Sequence, residues 1–260
     1  MCFISKHYFS ISSILMVLGF AFSAQTYADD SDWYVSMEAG AAVPMANTTT
    51  TTVSMSGSNF PDNYVMEQPS DSGYGGIGVG YQLSHTPWTS AQWLPNFRFG
   101  VLYDYIGNAT TNGDIEKFQE YQAYNFSYQL HSQIIWFDDQ ADLFSWNRLS
   151  PYVEIAIGSA FNNTNGYTEV PAGDDFPPRH GGSGAAFANN TNTQFAFMPG
   201  AGVNYGIPIK KHMINVGVGY RFMDLGNSQT GASAYYPGAQ SGLSAPIKDN
   251  MFVFMIRTNL

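Results

Sequence analysis

Six charged side chains of this chain, Glu38, Arg98, Asp104, Glu154, Arg221 and Arg257, stand out because each interrupts a run of alternating apolar and small residues. Three acids set against three arginines can do one of two things. Buried together they form a hydrogen-bonded network, because an unpaired charge in an apolar interior is very costly. Left in water they line an ion-selective path.

Hydrolytic chemistry would need a nucleophile or activated water, a histidine and an orienting acid within reach. His131 beside Ser132 is the one suggestive pair. Neighbouring residues of a strand point to opposite faces, so the two cannot readily bond side chain to side chain. A His-x-Ser spacing, as in the barrel lipases and deacylases, would place both on one face, and it is absent. His131 therefore reads as a hydrogen-bonding residue of an interior. His85, His180 and His212 lie singly, without metal-ligand spacing. Asp174-Asp175 lacks the ligand ladder of a calcium loop. No catalytic, cofactor-binding or metal-binding residue is expected, and no cofactor.

The elements that must position these residues begin after a leader. Lys6 and His7 precede an apolar stretch, Ile11 to Phe22, which decays into Ser-Ala-Gln-Thr-Tyr-Ala with Thr26 and Ala28 at the −3 and −1 positions. That is a signal peptide, residues 1–28, too short in its apolar part to span a bilayer as a helix. Cleavage leaves a single domain, 29–260, without cysteine, since Cys2 departs with the leader. Loss of Lys6 moves the formal charge from −10 to −11. Such a surface excludes nucleic acid as a partner.

Charged residues are 12% of the chain and aromatics 16%, against about 25% charged in soluble domains. Nothing after the leader approaches 18 continuous apolar residues, which excludes helical spans. The apolar residues instead recur with period 2. Strand one sets Trp33, Val35, Met37, Ala39 and Ala41 against Tyr34, Ser36, Glu38 and Gly40; strand two sets Ile77, Val79 and Tyr81 against Gly76, Gly78 and Gly80. Strand three sets Phe97, Phe99, Val101, Tyr103 and Tyr105 against Arg98, Gly100 and Asp104. The fourth sets Tyr124, Phe126, Tyr128, Leu130, Ile134 and Trp136 outward, against Asn125, Ser127, Gln129, His131 and Gln133. Four further runs centre on Ile155, Phe197, Val218 and Phe254, with Glu154, Arg221 and Arg257 on the opposite parity. Runs of about 9–12 residues match tilted membrane-crossing strands, and exceed the 5–6 usual in a soluble sandwich.

The connections 44–72, 107–120, 162–192 and 224–246 are long, and 85–95, 138–149 and 206–212 shorter. That alternation fits outer loops and periplasmic turns. Two aromatic girdles are expected: Trp33, Tyr81, Phe97, Trp136, Tyr152 and Tyr205 at the periplasmic ends, and Tyr74, Tyr105, Tyr121, Phe161, Phe195 and Phe222 at the outer ends. The turns holding Trp88, Trp93 and Trp146 are longer than the pattern requires. Asn47–Thr52, the Gly-rich stretch 173–186 and 226–245 read as low-complexity outer loops unable to order themselves.

The leader, eight alternating strands and long polar outer loops resemble the small bacterial outer-membrane barrels typified by outer membrane protein A, outer membrane protein X and the opacity proteins. The C-terminal Phe252, Phe254, Ile256 and Leu260 resemble that class's assembly signal, with a departure: the chain ends in leucine and places Thr258 on the outer face. The resemblance implies an all-β, antiparallel up-and-down barrel of about eight strands, exported through the periplasm to the outer membrane of a Gram-negative cell. It implies the barrel assembly machinery, outer-membrane lipids and lipopolysaccharide as partners, and a monomer. Fold alone does not settle activity. The expectation is a non-enzymatic barrel serving envelope integrity, adhesion or host contact, with an extracellular ligand reached through the loops. A small porin-like channel is the alternative, and an outer-membrane lipid-modifying enzyme comes third.

Overall fold

The computed structural model describes residues 33–46, 48–53, 62–83, 96–117, 121–172, 186–209, 212–233 and 242–260. The leader, His85, Trp88, Trp93, Asp174, Asp175 and His180 lie outside the described residues.

Period-2 alternation becomes ten antiparallel strands: β1 (Trp33–Pro44), β2 (Thr49–Val53), β3 (Asp62–Met66), β4 (Ser72–Leu83), β5 (Asn96–Lys117), β6 (Tyr121–Asp142), β7 (Leu149–Pro171), β8 (Asn190–Ile209), β9 (His212–Gln229) and β10 (Ser244–Asn259). Eight of them close a ring, β1-β4-β5-β6-β7-β8-β9-β10, sealed where β1 pairs with β10. Partners followed round this ring run Val35, Val79, Val101, Phe137, Ile157, Phe197, Asp224 and Lys248. Val35 itself pairs with Thr258, so the circuit returns displaced by 258 − 248 = 10 residues. That stagger tilts the strands and turns the sheet into a barrel. Closure leaves no free edge within the ring, so its backbone groups pair internally, as a lipid surrounding demands.

The outward face is an apolar belt. Ile77, Val79, Val101, Phe137, Ile155, Val218 and Phe252 are all exposed. Trp33, Tyr81, Phe97 and Tyr205 edge it at one end; Tyr105, Phe161 and Phe195 edge it at the other. Three residues expected in these girdles are elsewhere: Tyr74, Trp136 and Tyr152 are at most 2% exposed and point into the barrel. The whole of β6 is inverted relative to the sequence reading. Phe126, Tyr128, Leu130, Ile134 and Trp136 are buried, while Gln129, Gln133, Ile135 and Phe137 face out. His131 goes with them to the outer face, against the Tyr105 ring at 6.0 Å between centroids. The reason is space. A side chain at Gly158 would lie 2.9 Å from the Trp136 ring, and side chains at Gly202 and Gly219 within 2.6 Å of the Tyr152 hydroxyl. Glycine hollows on the inner wall thus admit large rings that would otherwise belong outside. Thr258 keeps the outward parity expected of it but is only 3% exposed.

The strands outrun the apolar belt at one end, termed outer here. The expected loop 107–120 is mostly strand, since β5 runs to Lys117 and β6 starts at Tyr121. The expected loop 44–72 contains the hairpin β2–β3, with β3 paired to β5 above the point where β4 stops. Within the threonine run, Thr49 to Thr52 are therefore strand and not disordered loop; β-branched side chains suit a pleated sheet. Beneath the hairpin lies a second core of Val53, Tyr64, Met66, Ile115, Phe126, Tyr128, Phe187 and Leu243. Edge-on ring pairs knit it, Tyr64 to Phe126 and to Phe187 at 5.5 Å, and Tyr167 to Phe187 at 5.1 Å. Burial, with Tyr64 and Glu169 alongside, pushes the Tyr167 phenol well above its ordinary pKa.

At the inner end the expected long turn 138–149 shrinks. β6 continues to Asp142, and Trp146 and Leu149 exchange backbone hydrogen bonds at 2.8 and 2.9 Å. Asn147 and Arg148 between them have φ of 47° and 77°, the two-residue type I′ geometry that matches strand twist.

Candidate functional site

Inward side chains stack in three levels. At the inner level, Arg98 on β5 forks onto Asp142 on β6 with both bonds at 2.6 Å, and its Nε donates to Gln82 at 3.1 Å. Gln140 donates to the same carboxylate at 3.2 Å and accepts from Arg257 Nη2 at 2.7 Å. The Arg257 guanidinium lies over the Tyr34 ring, 4.7 Å from its centroid, a cation–π contact.

At the middle level Arg221 on β9 is the hub. Its Nη1 lies 2.8 Å from Glu38 on β1, and its Nε and Nη2 donate to the Glu154 carboxylate on β7. Nη1 also donates to the Tyr74 hydroxyl at 2.9 Å. Tyr74 in turn donates toward Glu38 and lies 3.2 Å from Asp104, whose other oxygen accepts from Trp136 Nε1 at 2.8 Å. Six strands, β1, β4, β5, β6, β7 and β9, meet at this point. Such charge-assisted, reciprocally satisfied bonds fix side chains more firmly than neutral ones.

Above the charges the lumen turns apolar, with Ile106, Leu130, Ile134, Ala160, Ala196, Met223 and Leu225 all at most 6% exposed. Ser132 then donates to Asn162 at 2.7 Å, and Asn162 to the Leu225 carbonyl at 2.9 Å, before the outer core begins. A cavity of about 20 Å³, near where β1 ends, is bordered by Leu130, Ile247 and Asp249; it has room for about one water.

Of the six sequence-derived charges, the structure brings Glu38, Asp104, Glu154 and Arg221 into one cluster and places Arg98 and Arg257 in the level below. It adds Tyr74, Trp136, Asp138, Gln140 and Asp142, all inward and missed. Their signal was present: Asp138, Gln140 and Asp142 continue the parity of Trp136, and Tyr74 shares that of Gly76, Gly78 and Gly80. With them the balance becomes five acids to three arginines, where the sequence reading had three to three.

Nothing resembling a nucleophile–base pair occurs among the described residues at His131 and Ser132. The first faces outward and the second bonds Asn162 inside the barrel. Among the described residues no group of three His, Cys, Asp or Glu side chains could hold a metal ion.

No protein-family profile matches the chain, and no curated protein does. Among solved structures, the chain is similar to Neisserial surface protein A, at 15% identity and TM-score 0.45 over 88% of this chain and 98% of that one. It is also similar to the outer membrane protein OprG from Pseudomonas aeruginosa, at 10% identity and TM-score 0.43 over 88% and 98%. A third is the outer membrane protease OmpT from Escherichia coli, at 7% identity and TM-score 0.36 over 90% and 97%. At these levels no activity passes from any of them to this chain.

Proposed function

We propose that this chain is a non-enzymatic bacterial outer-membrane protein with a structural or surface-contact role, whose barrel is a closed anchor and not a conduit. The observation that carries the reading is the filled lumen. Charge network, apolar layer and outer aromatic core follow one another along the axis, and eight strands leave little width beyond their side chains. The apolar belt and its girdles suit a bilayer. The inner end faces the periplasm, and strands β5 to β7 with the β2–β3 hairpin carry the outer loops well beyond the belt. The protein reaches this place through the periplasm and the barrel assembly machinery, contacts outer-membrane lipid and lipopolysaccharide, and works as a monomer. Contact with an extracellular ligand, adhesion or support of the envelope falls to the outer platform.

Liposome swelling by the refolded protein tests the closed anchor: sugars should not enter, and swelling would favour the porin-like reading. Replacing residues 49–66 by a short turn should leave a folded ring and abolish attachment of expressing cells to the surfaces that the full chain supports. Unchanged attachment would remove the hairpin from the proposed contact.

A further inference from the structure

The upper half of β6 turns polar residues outward, where the belt below it is apolar. Gln133 pairs across from Tyr105 and Phe161, which edge the belt, and Gln129, Ser127 and Asn125 follow on the same outward parity. Asn163 and Asn165 on β7 join this wall. Asn165 donates to Asn163 at 3.2 Å, and Asn163 donates to Thr191 on β8 at 2.6 Å. Tyr103 donates to Gln133 from the belt side at 3.2 Å. These bonds fix the amides in orientation, and each amide has more donors and acceptors than the bonds use.

At the top of this wall the sheet bends. Register shifts between Ser127 and Gln129 and between Ile115 and Glu116 mark the bend. An open groove of about 510 Å³ lies there, within the usual size of small-ligand sites. Asn112 and Asp114 on β5, Asn125 and Ser127 on β6 and Thr168 on β7 line it, with Glu67 at its edge just beyond β3. Ser127 and Thr168 share a hydrogen bond at 2.9 Å, and Val170 adds an exposed apolar rim. Among the described residues no lysine or arginine lines the groove. A phosphate would want such cations, and the two carboxylates oppose any anion. Amides, hydroxyls and carboxylates beside a small apolar surface suit a ligand with many uncharged hydroxyls and exposed C–H faces.

Height and direction name the source of that ligand. Ser127 stands six residues beyond Gln133, roughly 20 Å along the strand and about 15 Å above the belt at the usual tilt. The groove opens sideways, away from the barrel axis, because its side chains carry the outward parity. A leaflet built of glycolipid places its saccharide at that height and on that side. We infer that the groove binds the uncharged hexose chain of the glycolipid around the barrel, through hydroxyl-to-amide hydrogen bonds and not through phosphate. This rests on the surface-contact reading, with this end of the barrel outward, and gives the lipopolysaccharide contact a place and a chemistry.

In the test, the chain refolded in micelles is titrated with phosphate-free core oligosaccharide released from lipopolysaccharide, and binding is read by saturation-transfer NMR. The sugar should bind, and Asn125→Leu and Thr168→Val should each weaken it about fivefold, as the loss of one or two hydrogen bonds implies. Lys248→Gln, on β10 across the ring, should leave binding unchanged, and inorganic phosphate should not compete. The gel shift checks that each variant folds; Thr168→Val, of nearly the same shape as the parent, decides alone if Asn125→Leu does not. No binding of the sugar, binding indifferent to the groove variants, weakening by Lys248→Gln, or displacement by phosphate would overturn the inference. Each of those results leaves the anchor and surface-contact reading standing, because free sugar in micelles tests the groove alone. That reading falls instead on liposome swelling and cell attachment.

Discussion

The Tyr74 hydroxyl accepts a hydrogen bond from Arg221 Nη1 at 2.9 Å while lying within reach of the Glu38 and Asp104 carboxylates. One tyrosine from β4 thereby joins two acids from β1 and β5 to an arginine from β9, across the width of the barrel. Removing either partner should show how much of the lumen depends on the other.

Arg221→Leu leaves Glu38 and Glu154 without their cation in a buried setting, at a cost of roughly 3–5 kcal/mol if they stay ionised. Tyr74→Phe removes only the shared hydroxyl and should cost about 1–3 kcal/mol. Urea unfolding in micelles, followed by the gel shift between folded and boiled protein, measures both. The reverse order would mean that Arg221 is solvated and not the hub.

Strand β6 tests the face assignment directly. Spin labels at Phe137 and Ile135 should collide readily with oxygen dissolved in lipid, and a label at Trp136 should not. Opposite phase would restore the outward Trp136 that the aromatic pattern of the sequence favoured.

That misphasing shows where the sequence was readable and where it was not. Strand existence, pairing order and closure follow from alternation, because a barrel wall needs one face for lipid and one for the lumen. Trp136, Tyr74 and Tyr152 break the rule that rings face lipid, since glycines on neighbouring strands open hollows and buried carboxylates take the Tyr74 hydroxyl and the Trp136 N–H. In the run Ile134-Ile135-Trp136-Phe137 both parities are apolar, so only the polar residues beyond it carried the phase. The β2–β3 hairpin was hidden by composition: five threonines look like a linker, and the core that orders them comes from Tyr64, Phe126 and Phe187, far apart in sequence.

Gly76 faces Asp104 so closely that a Cβ there would lie 2.1 Å from Asp104 Oδ1. Asp104 is held by Trp136 and Tyr74 and cannot yield freely. Gly76→Ala should therefore destabilise the barrel by about 1–3 kcal/mol. At Gly75, on the outward parity, the nearest atom would be 3.8 Å away, and Gly75→Ala should stay within about 0.5 kcal/mol. Equal midpoints for the two variants in urea would count against the packed inner wall.

The inner turn gives a prediction of opposite sign. Arg148 holds φ at 77°, where side chains are strained. Arg148→Gly should stabilise the β6–β7 hairpin by roughly 0.5–1 kcal/mol, and Arg148→Val should weaken it by a similar amount. Refolding midpoints of the two variants should bracket that of the parent chain; a loss of stability in Arg148→Gly would reject the type I′ turn.

The central claim is that the lumen is closed, and single-channel recording of the refolded protein in planar bilayers tests it most directly. Because the apolar layer around Ile134, Met223 and Leu225 interrupts any polar path, insertion of the parent barrel should produce no resolvable conductance steps under applied voltage. Stable, reproducible steps from the parent chain, growing larger for cations when Arg221 is replaced by leucine, would contradict the account and establish a channel in its place.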